Sequence, residues 1–359
     1  MRVAWTRSVG ELLHVNSRKF MIYGHGDDGF CTDVNIVADF STNVWYGAEN
    51  EPLVRFLQKR IPMILHYPEP NADSFALALA EYHGVGEDSI FVGNGETELL
   101  YMIAQAYRGV ETMIFYPSYS EYADSCEKHG HKVKYLHYGA ELKPEDGELV
   151  IIGNPNNPNG KLMSKQEIAA LLQASPNRVV VIDEAFIDFT IGDNSVVDLT
   201  VKYDNLIVVR SMTNKYAVPG LRLGYIVACP KLIDKIAVFA YPWRVNALAI
   251  ETGKFLLQRK DTLSGSLPTI MQRKENLQAA ILRIKGYEPK VSDTTFFLVK
   301  CAFSVEHLKA WLLEKHGILI RNCSNFKGLS DHYFRLNTLN EKRNAMLVDA
   351  LEQYSLENR

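Results

Sequence analysis

The chain has 359 residues, 47% of them hydrophobic and 23% charged, and a formal net charge of −3. This length fits one large domain and a smaller one, and the balanced charge excludes the strongly basic surface of a nucleic-acid-binding protein. No apolar run reaches the roughly eighteen residues that a membrane span needs, and the five widely spaced cysteines favour the reducing cytoplasm over a disulfide framework. The ten histidines show no zinc-type spacing, so we predict no metal site and place His129 and His131 in a solvated turn.

Helical periodicity alternates with short apolar runs from about residue 73 onward. Each run is too short for a helix and is bounded by turn residues, which indicates buried strands. Because the runs are apolar on both faces and separated by helices, they predict an α/β fold with a mostly parallel sheet covered on both sides. Ligands bind beyond the carboxyl ends of the strands in such sheets. The predicted strands span residues 89–93, 112–116, 149–153, 179–183, 206–210 and 224–228.

The pattern changes after about residue 230. A long helical stretch is followed by three strand-like runs and a closing helix, which predicts a smaller α+β domain. We therefore predict a large α/β domain at 73–245, then a linking helix and the small domain at 246–359. The N-terminal segment, 1–72, is expected to pack on the small domain and on a partner subunit.

A glycine-rich turn, Gly93 to Glu98 (GNGETE), lies between a predicted strand and a predicted helix. Such a turn exposes backbone N–H groups at the positive end of the helix dipole, which suits a phosphate group. The same residues also fit an ordinary strand-to-helix turn, so this motif alone leaves both interpretations open.

Two further polar motifs come directly after predicted strands. The run from Asn154 to Gly160 (NPNNPNG) contains two prolines, and these residues make a rigid turn that can fix the direction of an asparagine side chain. The strand at 179–183 ends on Asp183, a carboxylate that needs a partner if it is buried. A protonated ring nitrogen of a ligand and an arginine in a structural ion pair would both serve.

The run from Arg210 to Tyr225 (RSMTNKYAVPGLRLGY) resembles the cofactor-lysine segment of pyridoxal-phosphate enzymes of the aspartate-aminotransferase fold (fold type I). In that family a serine lies three residues before the lysine that binds the cofactor, and an arginine lies eight residues after it. Ser211 and Arg222 match this frame, and Asn214 stands at the lysine position, with Lys215 one residue out of register. The order and spacing of the other motifs also resemble the family over essentially the whole chain.

The resemblance implies pyridoxal 5'-phosphate as the cofactor and a homodimer as the assembly. It implies that Tyr119 stacks on the cofactor ring, that Asn157 donates to the ring oxygen and that Asp183 pairs with the ring nitrogen. Arg335 matches the arginine that binds the substrate carboxylate by two hydrogen bonds. Arg321 matches a second family arginine, which lies near the substrate. The residues implied to hold the cofactor phosphate are Gly95, Glu96, Thr97, Ser211, Arg222 and Tyr67, the last from the partner subunit.

Within this family the chain is most similar to the threonine-phosphate decarboxylases of cobalamin biosynthesis and next to the histidinol-phosphate aminotransferases. Four stretches favour the decarboxylases, as does the turn at 24–26 with His25, which resembles an element near the substrate phosphate in those enzymes. Asn43 is expected to bind substrate as well. The reaction implied is loss of CO₂ from a small phosphorylated amino acid; the alternatives are transamination, other small amino-acid chemistry on the same cofactor, and a protein that binds the cofactor or an amino-acid adduct without turnover. The four stretches are residues 39–43, 183–189, 216–220 and 321–326.

Asn214 creates the main conflict in the sequence. An amide nitrogen is neither basic nor nucleophilic, so it can neither bind the cofactor covalently nor transfer a proton. Three explanations remain open: an introduced substitution, a natural divergence that weakens or abolishes catalysis, or a loop conformation in which Lys215 takes the role.

The chain departs from the usual family motifs at two further positions. Asn159 replaces a threonine of the Asn-Pro turn, which we expect to alter only a turn contact. Phe186 replaces a tyrosine and cannot donate to the ring oxygen, so Asn157 would do so alone.

Overall fold

A computed structural model describes residues 34–140, 142–143, 147–259 and 262–358. The strands are β1 (Ala38–Asp39), β2 (Ile90–Gly93), β3 (Glu111–Tyr116), β4 (Lys132–His137), β5 (Leu149–Gly153), β6 (Val179–Asp183), β7 (Leu206–Ser211), β8 (Gly224–Ala228), β9 (Tyr287–Pro289), β10 (Phe296–Cys301), β11 (Ile318–Leu319), β12 (Arg321–Asn322) and β13 (Tyr333–Asn337). The α-helices are α1 (Glu51–Gln58), α2 (Asp73–His83), α3 (Glu96–Ala106), α4 (Ser120–Lys128), α5 (Lys165–Ala174), α6 (Thr213–Tyr216), α7 (Pro230–Ala237), α8 (Ala247–Leu257), α9 (Thr262–Leu282), α10 (Val305–His316) and α11 (Glu341–Glu357).

Seven strands form the central sheet in the order β2-β8-β7-β6-β5-β3-β4. All neighbours from β7 to β4 pair in parallel, whereas β8 is antiparallel to both β2 and β7. Successive side chains of a strand point to opposite faces: Val180 and Ile182 of β6 join one buried apolar cluster, and Val181 joins another. Helices cover both faces, so the predicted α/β architecture with a mostly parallel sheet is confirmed.

The edge strand β4 was not predicted from the sequence. Two exposed lysines, Lys132 and Lys134, interrupt its apolar residues, as is usual at the edge of a sheet. The prediction that His131 lies in a solvated turn was wrong. His131 is buried, and its ring nitrogens lie 2.7 Å from the hydroxyl oxygen of Thr112 and 2.7 Å from the carbonyl oxygen of Ala104.

A second, antiparallel sheet has the order β12-β13-β10-β9 and forms the smaller α+β unit with α10 and α11. The N-terminal strand β1 pairs in parallel with β11, and Ala38 and Phe40 join the apolar core of this unit. Helix α8 instead packs with the central sheet, because Ile250 and Leu256 belong to the same cluster as Val180. The domain limits and the packing of the N-terminal segment on a partner subunit stay predictions.

No helix among the described residues is long and apolar enough to cross a membrane. The cytoplasmic location stays a prediction.

The Asn-Pro turn docks the central sheet against the small unit. The backbone N–H of Asp293 donates to the carbonyl oxygen of Gly160 at 2.9 Å, and the N–H of Leu162 donates to the Asp293 carboxylate at 3.1 Å. Gly160 has a φ of 65°, and a Cβ there would lie 1.9 Å from the Ser292 hydroxyl oxygen. Glycine is therefore required both by the left-handed backbone and by the close approach.

We expect Gly160→Ala to lower the Tm and to weaken ligand binding at the carboxyl ends of the parallel strands, where the Asn-Pro turn lies. The left-handed backbone alone costs about 1–2 kcal/mol for an L-residue, and the contact with Ser292 adds to it. Gly109→Ala is the matched control, because Gly109 has a φ of 81° but open space around its Cβ position. Equal losses of Tm in the two variants would contradict a role for close packing at Gly160.

Candidate functional site

A cavity of about 270 Å³ lies at the carboxyl ends of the parallel strands, where the small unit meets the central sheet. Sequence reasoning predicted most of its polar lining, and the structure brings those residues together from eight separate segments of the chain. The predicted residues that line it are Asn43, Glu96, Thr97, Tyr119, Asn157, Asp183, Ser211, Asn214, Arg222, Arg321 and Arg335.

One end of the cavity is built from the glycine-rich turn. Gly95 is the N-cap of α3 with a φ of 86°, and a Cβ there would lie 2.7 Å from a guanidinium nitrogen of Arg222. The absence of a side chain thus lets Arg222 approach the start of the helix. Glu98 braces the turn, since its carboxylate accepts a hydrogen bond from the N–H of Asn94 at 2.6 Å. The first N–H groups of an α-helix have no partners within the helix, so together with Ser211 this end suits a phosphate group.

Asp183 ends β6 and is only 4% exposed. Its carboxylate accepts hydrogen bonds from the Tyr122 hydroxyl at 2.5 Å and from the backbone N–H of Ala185 at 2.9 Å. The side chain of Glu96 is a further hydrogen-bond partner. These partners include no arginine among the described residues, so the geometry favours the interpretation in which Asp183 pairs with a ligand.

The Glu96 carboxyl lies beside Asp183 in the cavity and is also hydrogen-bonded to Ser211. Burial raises the pKa of Glu96 well above its ordinary range, the neighbouring Asp183 raises it further, and Arg222 opposes the shift. Burial also raises the pKa of Asp183. Two adjacent carboxyls in a poorly solvated site resist double ionisation, so Glu96 retains a proton above the pH at which an exposed glutamate loses it.

Arg335, on β13, links the small unit to the Asn-Pro turn. Its two terminal nitrogens donate to the side-chain oxygen of Asn157 at 2.5 Å and to the carbonyl oxygen of Ser41 at 2.6 Å. Because the Asn157 oxygen accepts from Arg335, the amide nitrogen of Asn157 is the atom left to donate to a ligand. Burial lowers the pKa of Arg335 to about 10, so the guanidinium stays charged at neutral pH.

Other asparagines hold the turn around Asn157. The Asn156 amide donates to the carbonyl oxygen of Pro117 at 2.7 Å and to the Asn159 side chain at 2.9 Å. Asn159 also accepts from the N–H of Lys161 at 3.1 Å. The residue that replaces the family threonine thus makes contacts within the turn.

Two groups near the small unit could bind a second anion or polar group. A terminal nitrogen of Arg321 donates to the side chain of Asn325 at 2.9 Å, which directs its guanidinium along the cavity wall. Asn43 is 5% exposed, and neither its amide nitrogen nor its amide oxygen has a hydrogen-bond partner among the described residues. Buried polar atoms of this kind normally have partners, so Asn43 is suited to receive a ligand.

The short helix α6 places Asn214 in the cavity and Lys215 outside it. Neighbouring residues of a helix differ in direction by about 100°, and the Lys215 amine points to Asp188, whose carboxylate it contacts at 2.8 Å. The Lys215 side chain is only 8% exposed. The carbonyl oxygen of Asn214 accepts a hydrogen bond from the N–H of Trp45 at 3.0 Å, which ties the turn to the N-terminal segment.

One further predicted residue lies away from the cavity. Tyr67 is 83% exposed and contacts the ring of Trp243, with the ring centroids 5.0 Å apart, so it does not line the cavity of its own chain. Its role across a dimer interface stays a prediction. His25 lies outside the described residues.

Sequence reasoning missed Tyr122, the hydroxyl donor to Asp183. Tyr119 and Tyr122 are three residues apart at the start of α4, and this spacing puts both side chains on one face of the helix. That spacing was a usable signal. Phe326 also lines the cavity and was not predicted. Phe186 lines the cavity as well, and it packs its ring on Phe296 at a centroid distance of 5.0 Å.

Comparison with known proteins places this arrangement in a family. The model of the family "Aminotransferase class I and II" matches residues 34–351. A protein of Caldanaerobacter subterraneus subsp. tengcongensis with the provisional name threonine-phosphate decarboxylase is 33% identical over 301 residues, which cover 79% of this chain and 82% of that protein. The histidinol-phosphate aminotransferase of Ruminiclostridium cellulolyticum is 29% identical over 305 residues, covering 81% and 84%.

Solved structures agree with this result. The crystal structure of L-threonine-O-3-phosphate decarboxylase from Porphyromonas gingivalis has a TM-score of 0.87 and 35% sequence identity, and the match covers 90% of this chain and 100% of that one. The predicted family, fold type and pyridoxal 5'-phosphate cofactor are therefore confirmed. The chain belongs to the class I and II aminotransferase family.

Proposed function

We propose that the chain binds pyridoxal 5'-phosphate and a small phosphorylated amino acid such as O-phospho-L-threonine, in a site of the carboxy-lyase type whose turnover Asn214 impairs. The observation that carries the proposal is one cavity with a phosphate-binding end at α3, a buried carboxylate at Asp183 and two arginines on the small unit. The similarity to threonine-phosphate decarboxylases supports the choice of reaction and of substrate class.

The residues of the cavity fit the cofactor. Gly95 leaves room for Arg222 beside the start of α3, so the helix N–H groups, Ser211 and Arg222 would hold the phosphate. Tyr119 would stack on the ring, and the amide nitrogen of Asn157 would donate to the ring oxygen. When bound, the cofactor supplies an electron sink for the charge that develops at the substrate Cα.

Asp183 would stabilise a protonated ring nitrogen. Its burial at the end of β6 leaves it in a medium where an ion pair is stronger than in water. Tyr122 and the Ala185 N–H fix the two carboxylate oxygens in direction, so this orientation exists before any ligand arrives.

Arg335 would bind the substrate carboxylate, and Arg321 with Asn43 would bind the phosphate at the other end of the substrate. Arg335 donates a hydrogen bond to Asn157, so the group that would bind the carboxylate also orients the group that would contact the cofactor ring. A dianionic substrate suits two separate cationic groups better than one. His25, outside the described residues, is proposed as a further phosphate contact.

Asn214 would leave the cofactor without a covalent bond to the protein and the substrate without a proton-transferring amine. We therefore propose non-covalent cofactor binding and weak or absent turnover. A histidinol-phosphate-type aminotransferase is the second candidate, supported by the similarity to that enzyme over most of the chain. A binding protein without catalysis is the alternative of another class, and the Asn214 side chain in the cavity supports it.

A homodimer is part of the proposal. An apolar surface around Tyr67 is unusually exposed for large side chains of a single chain, which supports burial against a second copy. Its exposed members are Ile64 at 63%, Leu65 at 78%, Tyr67 at 83%, Tyr241 at 76% and Trp243 at 48%.

We predict that Glu96→Gln will bind pyridoxal 5'-phosphate more tightly than the parent at high pH. The Glu96 carboxyl is protonated below its raised pKa and becomes an anion near the phosphate-binding groups above it. Below the raised pKa the two proteins should bind alike, and above it the variant should bind up to about tenfold more tightly, equivalent to about 1.4 kcal/mol. Equilibrium dialysis across this pH range measures the difference.

Glu51→Gln, a change of an exposed glutamate on α1, is the control for net charge. Weaker binding by Glu96→Gln at every pH would show that the carboxyl supports the cofactor instead of opposing it.

We predict that Asn214→Lys will bind the cofactor covalently and release CO₂ from O-phospho-L-threonine. The lysine amine would restore the nucleophile and the proton-transferring group at a position that already faces the cavity. Borohydride reduction followed by peptide mass spectrometry should place the cofactor on residue 214 in the variant and recover it as free cofactor from the parent.

Two results would contradict this proposal. Cofactor attached to Lys215 of the parent would show that the neighbouring lysine takes the role. Transfer of the amino group to 2-oxoglutarate by Asn214→Lys, without CO₂ release, would identify the protein as an aminotransferase.

A further inference from the structure

Four charged side chains, three of them buried and one (Asp188) partly buried, form a cluster behind the cavity. Arg210 contacts the carboxylates of Glu184 at 2.8 Å and of Asp188 at 3.0 Å, and Lys215 contacts the second oxygen of Asp188 at 2.8 Å. The four side chains are between 0% and 20% exposed. We call this set the four-charge cluster; it holds two cations and two anions, and Asp188 bridges both cations.

Each of three cluster members is the sequence neighbour of a residue that lines the cavity. The backbone therefore transmits the position of the cluster directly to the cavity wall at three points. The neighbouring pairs are Asp183 and Glu184, Arg210 and Ser211, and Asn214 and Lys215.

The turn that carries Asn214 depends on such anchors. Helix α6 has four residues, and an isolated helix of this length is unstable in water because nucleation is costly. Two hydrogen bonds to its backbone hold the turn. The N–H of Trp45 donates to the carbonyl oxygen of Asn214 at 3.0 Å, and the side-chain amide of Asn50 donates to that of Ala217 at 3.0 Å. Lys215 adds a side-chain anchor on a face of the turn that does not line the cavity.

The ion pair also opposes any rotation of the turn. Swinging Lys215 toward the cavity would separate its amine from Asp188 and leave this largely desolvated carboxylate with one cation instead of two. Removing one partner of a buried ion pair is costly because the remaining charge stays desolvated. The same rotation would carry residue 214 out of the cavity.

We propose that Lys215 is a positioning residue: its ion pair with Asp188 sets the rotation of the 213–216 turn and thereby directs residue 214 into the cavity. Lys215 is thus excluded as a substitute for the cofactor-binding lysine by the same contact. The inference rests on the proposed function only in that residue 214 faces the cofactor.

A cysteine at position 214 tests the geometry without any cofactor. We would measure alkylation of Asn214→Cys by iodoacetamide, with peptide mass spectrometry to distinguish it from the native cysteines. Adding Lys215→Met should change the alkylation rate several-fold because the turn rotates, and Lys215→Arg should restore the rate of the single variant. Equal alkylation rates for Asn214→Cys alone, with Lys215→Met and with Lys215→Arg would overturn the inference.

A double-mutant cycle in the otherwise unchanged chain tests the contact itself. Lys215→Met and Asp188→Asn should each lower the Tm. The Tm of the double variant should fall by less than the sum of the two single decreases, because both substitutions remove the same ion pair. Additive losses would overturn the ion-pair assignment. Lys215→Arg, which keeps the charge, should retain most of the Tm and covers the case in which the Met variant does not fold.

The loaded protein gives a third readout. In the Asn214→Lys background, Lys215→Met should shift the pH titration of the cofactor absorbance and lower kcat more than it raises KM, with rescue by Lys215→Arg. An unchanged titration would reduce Lys215 to a structural residue and overturn the inference. If Asn214→Lys does not take up cofactor, the proposed function fails, while the cysteine and Tm experiments still decide the role of Lys215.

Discussion

Parallel pairing of β5, β6 and β7 is the constraint on which the site depends. The pairing sets Gly153 opposite Asp183 and Asp183 opposite Val209, so the three strands end at nearly the same level. Three polar segments therefore converge there: the Asn-Pro turn after β5, the carboxylate at the end of β6 and the Ser211 turn after β7. Ladder hydrogen bonds and burial on both faces fix this register, because a slip of one residue would move every side chain out of its own apolar cluster and into the differently shaped cluster on the other face.

The small unit completes the site through polar contacts across the boundary. Arg335 donates to Asn157 of the central sheet and to Ser41 of the N-terminal segment. Three parts of the chain thus meet at one guanidinium. A group that binds the substrate carboxylate and also orients the donor to the cofactor ring would couple the two binding events, since a shift of either partner changes the hydrogen bonds of the other.

The cavity forms without the side chain of residue 214, whereas the proposed reaction depends on it. The end of the cavity at α3, Asp183 and the arginines are assembled by backbone geometry and by hydrogen bonds that do not involve the side chain of residue 214. A single amide in place of an amine therefore leaves the cavity intact while removing the group that is both nucleophilic and basic. The four-charge cluster adds to this loss, because it commits the neighbouring amine, that of Lys215, to Asp188.

Local pattern was enough to predict most strands of the central sheet, the order of the motifs and the frame of Ser211 and Arg222 around Asn214, because periodicity, turn residues and spacing along the chain record these features directly. It missed the edge strand β4, whose exposed lysines carry no strong apolar signal, and it placed the buried His131 in solvent. Which atoms meet is a matter of tertiary packing. The pairing of Glu96 with Asp183, the hydroxyl of Tyr122 on the same carboxylate and the different directions of Asn214 and Lys215 depend on residues far apart in the chain. Spacing can predict that two residues lie on one turn, but the rotation of that turn is set by the partners that bury it, and for Lys215 that partner is Asp188.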